Sequence, residues 1–253
     1  DSYTIHQDAD GDEWILTNKG ATIVGNKTIN SDFPFHTITE SNDDIWLSRN
    51  NGKLAKFDKS TVTPQFIEVP SYIERINALE IIDNRTLALG TDESLVLFDT
   101  QSNTFKHIHI LGPTQKDQHI THIFKDRTGE LWLFTQGKGV TRVNINTNEV
   151  QHLYTPESEV VHYERPNTPY IFEDAVGTLW VLPREVNLSY YNRKIKKLEY
   201  YYTHPGDSKS AFHPFMRDIC TDKQGSIWFT SNRGVKRMSA FNRNYEQTYM
   251  DHD

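Results

Sequence analysis

The chain has one cysteine, Cys220, so no internal disulfide can brace it. Its setting, Asp218-Ile219-Cys220, reads as a strand carrying a small buried residue rather than a reactive thiol. No run of about 18 apolar residues is present, so no helix written here spans a membrane. No stretch is rich in glycine and serine, no block of like charge interrupts the pattern, and nothing is low in complexity. Without a linker, residues 1–253 read as a single domain. Basic charge is in deficit: the formal net charge is -7, which argues against a nucleic-acid backbone as partner. The opening Asp1-Ser2-Tyr3 lacks the form of a signal peptide and begins inside a strand, as expected of a piece of a longer protein. A nucleophile elbow, a glycine-rich phosphate loop and a metal motif are all missing, so neither an enzyme nor a cofactor is expected.

Aromatic residues, at 12%, are plentiful and suit a pleated sheet surface. The five tryptophans follow one rule. Each ends a short step after a turn: Asp12-Glu13-Trp14, Asp44-Ile45-Trp46, Glu130-Leu131-Trp132, Thr178-Leu179-Trp180 and Ser226-Ile227-Trp228. Four of them have an Asp six residues earlier and a Gly three residues earlier: Asp8 and Gly11, Asp126 and Gly129, Asp174 and Gly177, Asp222 and Gly225. The second copy carries Glu40 and Asp43 in those places. The gap from Trp46 to Trp132 is double the usual spacing and hides a degenerate copy, Thr86-Leu87-Ala88-Leu89-Gly90-Thr91, with Ala88 in the Trp position. The spacings are then 32, 42, 44, 48 and 48 residues. That matches the period of about 40–50 residues per propeller blade.

Each unit reads as four strands. The first is His119 to Phe124 or Pro169 to Phe172, followed by a tight Asp-x-x-Gly turn in which Asp bonds backbone N–H groups and Gly takes the positive φ. The second carries the Trp. The third opens on Gly, as at Gly20, Gly139 and Gly234, and alternates like a half-exposed strand. The fourth is aromatic and amphipathic, as in Phe66-Ile67-Glu68-Val69, Phe105 to Ile108 and Leu198 to Tyr201. The Trp strands are apolar on both faces, as in Leu131-Trp132-Leu133-Phe134, and a one-sided antiparallel sheet would alternate. Radially packed blades keep both faces dry. The expected fold is therefore all-β: a β-propeller with six visible four-stranded repeats.

Other patterns reduce to this repeat. Asp8-Ala9-Asp10-Gly11-Asp12-Glu13 places its Gly too early for a calcium loop and aligns with the repeat turn. His119 and His122 stand three apart on a strand and so face opposite sides, and His107 and His109 lack a third ligand. No metal is expected. A sialidase-type Asp box would place Gly two residues after Asp, not three.

The Asp126 to Thr135 and Asp222 to Thr230 segments resemble the two-component regulator propeller repeat, an Asp-x-x-Gly-x-Leu/Ile-Trp turn and strand followed by Thr and a Gly-led strand. The resemblance covers nearly the whole chain and departs at Ala88 and at Pro183 to Asn187. It implies the extracytoplasmic sensor region of a bacterial hybrid two-component histidine kinase, periplasmic and part of an inner-membrane protein. Oligosaccharides are the implied signal, and neighbouring sensor domains and a second copy of the parent protein are the implied partners. Family propellers often have seven blades, so a ring larger than the six units is one expectation. A propeller enzyme of the polysaccharide lyase or glycoside hydrolase type is the alternative.

In a four-stranded meander the second-to-third turns share one end with the long inter-unit loops, here Pro70 to Arg75, Gly112 to Gln118, Thr155 to Thr168 and Thr203 to Pro214. Variable loops on a regular scaffold are where function is carried. Five of the six turns at that end hold a basic residue: Lys19, Arg49, Lys138, Arg184 and Arg233; the third unit has Asp92 and Glu93. Arginine pairs bidentately with carboxylate or sulfate. The expected ligand-binding residues are Arg49, Lys138, Arg184 and Arg233, with Tyr72, Tyr163 and His213 in the long loops as stacking groups, beside His162 and Phe212.

Overall fold

The computed structural model describes residues 2–17, 20–23, 27–30, 35–41, 44–49, 51–61, 63–110, 119–135, 139–154, 170–182, 189–200, 216–222, 224–231, 234–239 and 245–248. Every regular element in them is a strand. Unit 1 holds β1 (Ser2–Gln7), β2 (Glu13–Thr17), β3 (Gly20–Ile23) and β4 (Lys27–Asn30). Unit 2 holds β5 (Thr37–Ser41), β6 (Asp44–Ser48), β7 (Leu54–Asp58) and β8 (Pro64–Ile67). Unit 3 holds β9 (Ile76–Ile81), β10 (Thr86–Thr91), β11 (Leu95–Asp99) and β12 (Thr104–Ile108). Unit 4 holds β13 (Ile120–Lys125), β14 (Leu131–Thr135), β15 (Gly139–Asn144) and β16 (Glu149–Tyr154). Unit 5 holds β17 (Tyr170–Glu173), β18 (Leu179–Leu182), β19 (Ser189–Asn192) and β20 (Lys197–Tyr200). Unit 6 holds β21 (Met216–Thr221), β22 (Ser226–Ser231), β23 (Gly234–Ser239) and β24 (Tyr245–Thr248).

Each unit is an antiparallel meander in which consecutive strands pair. All five tryptophans and Ala88 sit on the second strand of their unit, as the repeat predicts. The sheets stack face to face through that position. Trp14 meets Phe57 of unit 2, Trp46 meets Phe98 of unit 3 and Trp132 meets Tyr191 of unit 5, edge to face at 6.5, 6.0 and 4.6 Å. Such contacts add to a burial worth about 1.5–3 kcal/mol per large side chain. Between units 3 and 4 the pair is small on small, Ala88 and Val143, and Ile108, Ile110, Ile120 and Ile123 fill the space. First strands approach one another, β5 to β9 and β9 to β13, so the meanders run outward from a shared centre.

The repeat Asp does two jobs, of which the sequence suggested one. Its Oδ1 accepts turn N–H groups: Asp10 and Asp12 on Asp8, Thr128 and Glu130 on Asp126, Val176 and Thr178 on Asp174. Its Oδ2 accepts the indole Nε1–H of the Trp six residues on, at 2.9 Å for Trp14, 3.0 Å for Trp132, 2.8 Å for Trp180 and 2.8 Å for Trp228. A buried indole needs an acceptor, and a buried carboxylate needs donors. The turn glycine then takes φ between +78° and +93°, a region that suits glycine.

Two units depart from this lock. In unit 3, Ile82 stands in the Asp position beside Ala88, and both are buried in the apolar cluster against unit 4. The turn keeps its first backbone bond, Ile82 N–H to Thr86 O, while Asp83 takes the Arg85 and Thr86 N–H groups instead. In unit 2 the alignment of Glu40 with the repeat Asp is overturned. Thr39 pairs with Trp46 and Ser41 with Asp44, so the turn is one residue shorter and Glu40 matches Glu173, the residue before Asp174. Glu40 and Glu173 act alike: each accepts the N–H of the residue after the previous unit's Asp, Ala9 at 3.0 Å and Arg127 at 2.8 Å. Each also holds a cation from its own third-to-fourth turn, Lys59 or Arg193.

Glu80 lies opposite Ala88 on the same face, beside the cluster between units 3 and 4. Burial pushes its carboxyl up to about 7, although the Lys125 N–H and ammonium favour the charged form. The folded chain thus keeps a proton that the unfolded chain, with an ordinary value of 4.5, has released. Stability from this group is present below the unfolded value and declines as pH rises toward 7. Chemical denaturation at a series of pH values should show that decline, and Glu80→Gln should flatten it; a wild-type slope retained in Glu80→Gln refutes the assignment.

Candidate functional site

The end that carries the inter-unit loops is built by a repeated irregularity. The first strands of units 1, 3, 4 and 6 each slip register once against their second strands, at Tyr3, Asn77, Thr121 and Arg217. Each bulged residue lies three before the one that pairs with the Trp-position residue. A bulge adds a residue and re-aims a side chain. At Asn77 the effect is visible: its Nδ2 donates to Asp92 Oδ1 at 2.7 Å.

Asp92 organises this end of units 3 and 4. His119 Nδ1 lies 3.1 Å from the same Oδ1, and the His119 main-chain N–H donates to Asp92 O at 2.9 Å. Arg75 Nε is 3.9 Å from Asp92 Oδ2. Nδ1 is engaged by the carboxylate, which leaves Nε2 as the other ring nitrogen, and the side chain is 37% exposed. His119 also takes φ +24°, a strained value for a non-glycine residue, and such strain gathers at functional sites. Toward unit 2, burial first and the Arg75 charge second depress the His36 pKa.

Next to this network, Tyr72 lies on the His107 ring at 4.5 Å, and His107 stacks on His109 at 6.0 Å. Ser94 Oγ holds His107 Nδ1 at 3.0 Å. Burial and then the neighbouring His109 push the His107 pKa down. The three rings form a ladder over the outer edge of unit 3, and Tyr72 is 46% exposed.

Of the residues expected from sequence, Arg49 and Tyr72 are in the described part; Lys138, Arg184, Arg233, Tyr163 and His213 lie outside it, as do Lys19, His162 and Phe212. Tyr72 is exposed. Arg49 is not on the open surface: it is 8% exposed, and burial depresses its pKa. The sequence reading missed Arg75, Asn77 and His119. The available signal was the break in the basic series at Asp92, which is the acceptor the three share. The alternation argument that separated His119 from His122 fails at the Thr121 bulge, and burial separates them instead. His119 is open and bound to Asp92, whereas burial drives His122 down to about 4. Among the described residues no three His, Cys, Asp or Glu side chains come together as a metal site.

No protein-family model matches the chain, and no curated protein does. Solved structures do. The extracellular domain of a protein described as a hybrid two-component system from B. thetaiotaomicron superposes with TM-score 0.69 at 14% identity, over 100% of this chain and 35% of that one. A second extracellular domain from the same organism, of a one-component system, gives TM-score 0.64 at 16% identity over 93% and 38%. The chain has the β-propeller fold of such sensor domains. This propeller spans little more than a third of either relative. Virginiamycin B lyase from Staphylococcus aureus shares the fold equally well, with TM-score 0.68 at 14% identity over 100% of this chain and 85% of that one.

Proposed function

We propose that this propeller is the extracytoplasmic ligand-sensing part of a hybrid two-component histidine kinase, responding to an oligosaccharide and relaying to a kinase outside this chain. The observation that carries the reading is the Asp92-centred network: bulge, strained histidine and loop residues converge on one end of a regular scaffold. The two relatives are extracellular domains, which supports an extracytoplasmic setting; the proposal takes this to be the periplasm, in an inner-membrane protein whose neighbouring sensor domains and second copy are the partners. Arg184, Arg233, Lys138, Tyr163 and His213, which lie outside the described residues, are the other members of the proposed ligand surface on the sequence reading alone. The exposed faces of the terminal units favour a seventh blade: Ile5 of unit 1 is 67% exposed, and Trp228 of unit 6 is less covered than Trp14, Trp132 and Trp180.

A calorimetric or array screen of saccharides tests this, followed by Arg184→Ala combined with Arg233→Ala. Acidic ligands should bind, lose affinity with added salt and lose about tenfold in the double variant, since each exposed charge contributes modestly. Binding that survives both would remove the charged mouth. The His119–Asp92 pair favours a second reading, because a carboxylate-oriented imidazole is general-base geometry. One structure of the lyase relative is of a histidine variant described as catalytically inactive. Ligand turnover lost in His119→Ala would support it; stoichiometric binding without turnover supports the sensor.

A further inference from the structure

A second surface, on the outer side of unit 2, adjoins the Asp92 network at Glu74 and Arg75. A groove of about 580 Å³ runs along the end of β7, the β8 edge and the loop that follows. Its polar lining comes from Asn51, Lys53, Glu68, Ser71 and Glu74, and Phe66 is its aromatic wall. Phe66 is 52% exposed, and it and Tyr72 are the exposed aromatic rings among the described large hydrophobics. Tyr72 belongs to the loop of residues 70–74, whose other members Pro70, Ser71, Ile73 and Glu74 line the groove.

That loop is fixed in place. Ile73 is 5% exposed and belongs to the apolar cluster between units 2 and 3. Its N–H donates to Pro70 O at 2.9 Å. Gly52, at φ +72°, passes directly beneath: a Cβ there would come within 2.2 Å of Ile73 O. Only glycine lets the turn and the loop meet this closely, so the wall of the groove is preformed.

The lining chooses the occupant. An extended peptide adding to the sheet would need a long, donating edge, whereas β8 is four residues long and begins with Pro64, which has no N–H. An anionic ligand would meet two carboxylates against one ammonium. A neutral sugar ring shows a flat C–H face and a rim of hydroxyls. Its face fits the exposed phenyl ring, and its rim fits the planar amide and carboxylate groups of Asn51, Glu68 and Glu74. The volume lies in the range of small-ligand pockets, about 300–1,000 Å³.

We infer that the groove formed by Phe66, Asn51, Glu68 and Glu74 is a binding site for one or two rings of a neutral saccharide. This rests on the reading of the propeller as a saccharide sensor, but it names a different place and a different charge class from the axial mouth. The test is NMR shift mapping on the whole 253-residue chain. The probes are cellobiose, maltose, mannobiose and xylobiose, with digalacturonate as the acidic counterpart. A neutral probe should perturb residues 51–53, 66–68 and 71–74 and be insensitive to salt. Phe66→Ala should weaken it about tenfold. The fold should be undisturbed, because the ring is half exposed, and Glu68→Gln gives an independent check. Neutral probes that shift no groove residue, or an affinity unchanged in both variants, overturn the inference. If digalacturonate still shifts Arg75 and His119, the sensor reading stands without the groove; if no saccharide shifts any residue, both fall.

Discussion

Trp132→Ala should lower stability by about 3–5 kcal/mol, the largest effect of any single change considered, because it empties a fully buried site between two sheets. The indole packs edge to face on Tyr191 of the next unit and fills the cluster with Phe134, Val140, Ile171, Leu179 and Val181. Its loss also leaves Asp126 Oδ2 with Arg193 as its remaining side-chain donor, at 3.1 Å. For a chain of this length the shift in melting temperature is on the order of 10 °C. Denaturant unfolding should show a lower midpoint. An unchanged midpoint would mean that the Trp position does not join adjacent units.

Asp126→Ala comes second, at roughly 3 kcal/mol, by the opposite route. Little volume is lost, but the Trp132 indole N–H, the Thr128 and Glu130 N–H groups and the Thr128 hydroxyl lose one acceptor together. Burial pushes this carboxyl up, yet the hydrogen bonds from Thr128, Trp132 and Glu130 and the charge of Arg193 hold it below its ordinary 3.8. Its contribution is therefore full above the unfolded value and fades as pH falls through the folded one. Asp126→Asn separates the two roles. An amide can accept on one side, but it then presents N–H to either the turn or the indole, so it should recover part of the loss. If Asp126→Asn unfolds like wild type, the pairing with the indole carries no weight.

Much of the architecture was legible because a Trp is both rare and bulky, so its spacing reports where sheets touch. The hidden third unit followed from that spacing and from the Thr86 to Thr91 segment that falls in the gap, and Ala88 sits where it was expected. Glu40 was misplaced because a one-residue deletion in a turn looks like an Asp-to-Glu change when only side-chain chemistry is compared. The bulges at Asn77 and Thr121 left no trace in composition, since any residue can occupy them. Arg49 read as a solvent-facing charge because the cover over its turn is long-range. The same turn carries Gly52, over which the backbone of Ile73 and Glu74 passes, a contact no local pattern reveals. Much of the expected basic mouth falls on residues outside the described part.

The coupled absence of Asp and Trp in unit 3 has a consequence for how such a chain changes over generations. Where the turn keeps its full length, moving from the locked form to the Ile82–Ala88 form takes two substitutions, and either one alone strands a buried group. Trp without Asp buries an indole N–H with no acceptor; Asp without Trp buries a carboxylate beside an alkyl wall. The two sites are thus strongly non-additive, and the direct route between the forms crosses a valley in stability from both sides. The remaining locked units make that crossing survivable, because in a repeat array each unit draws its stability mainly from itself and its neighbours. Unit 2 shows the one half-way form in this chain, a shorter turn that keeps the buried Trp46 without the repeat Asp, whereas unit 3 has lost both members.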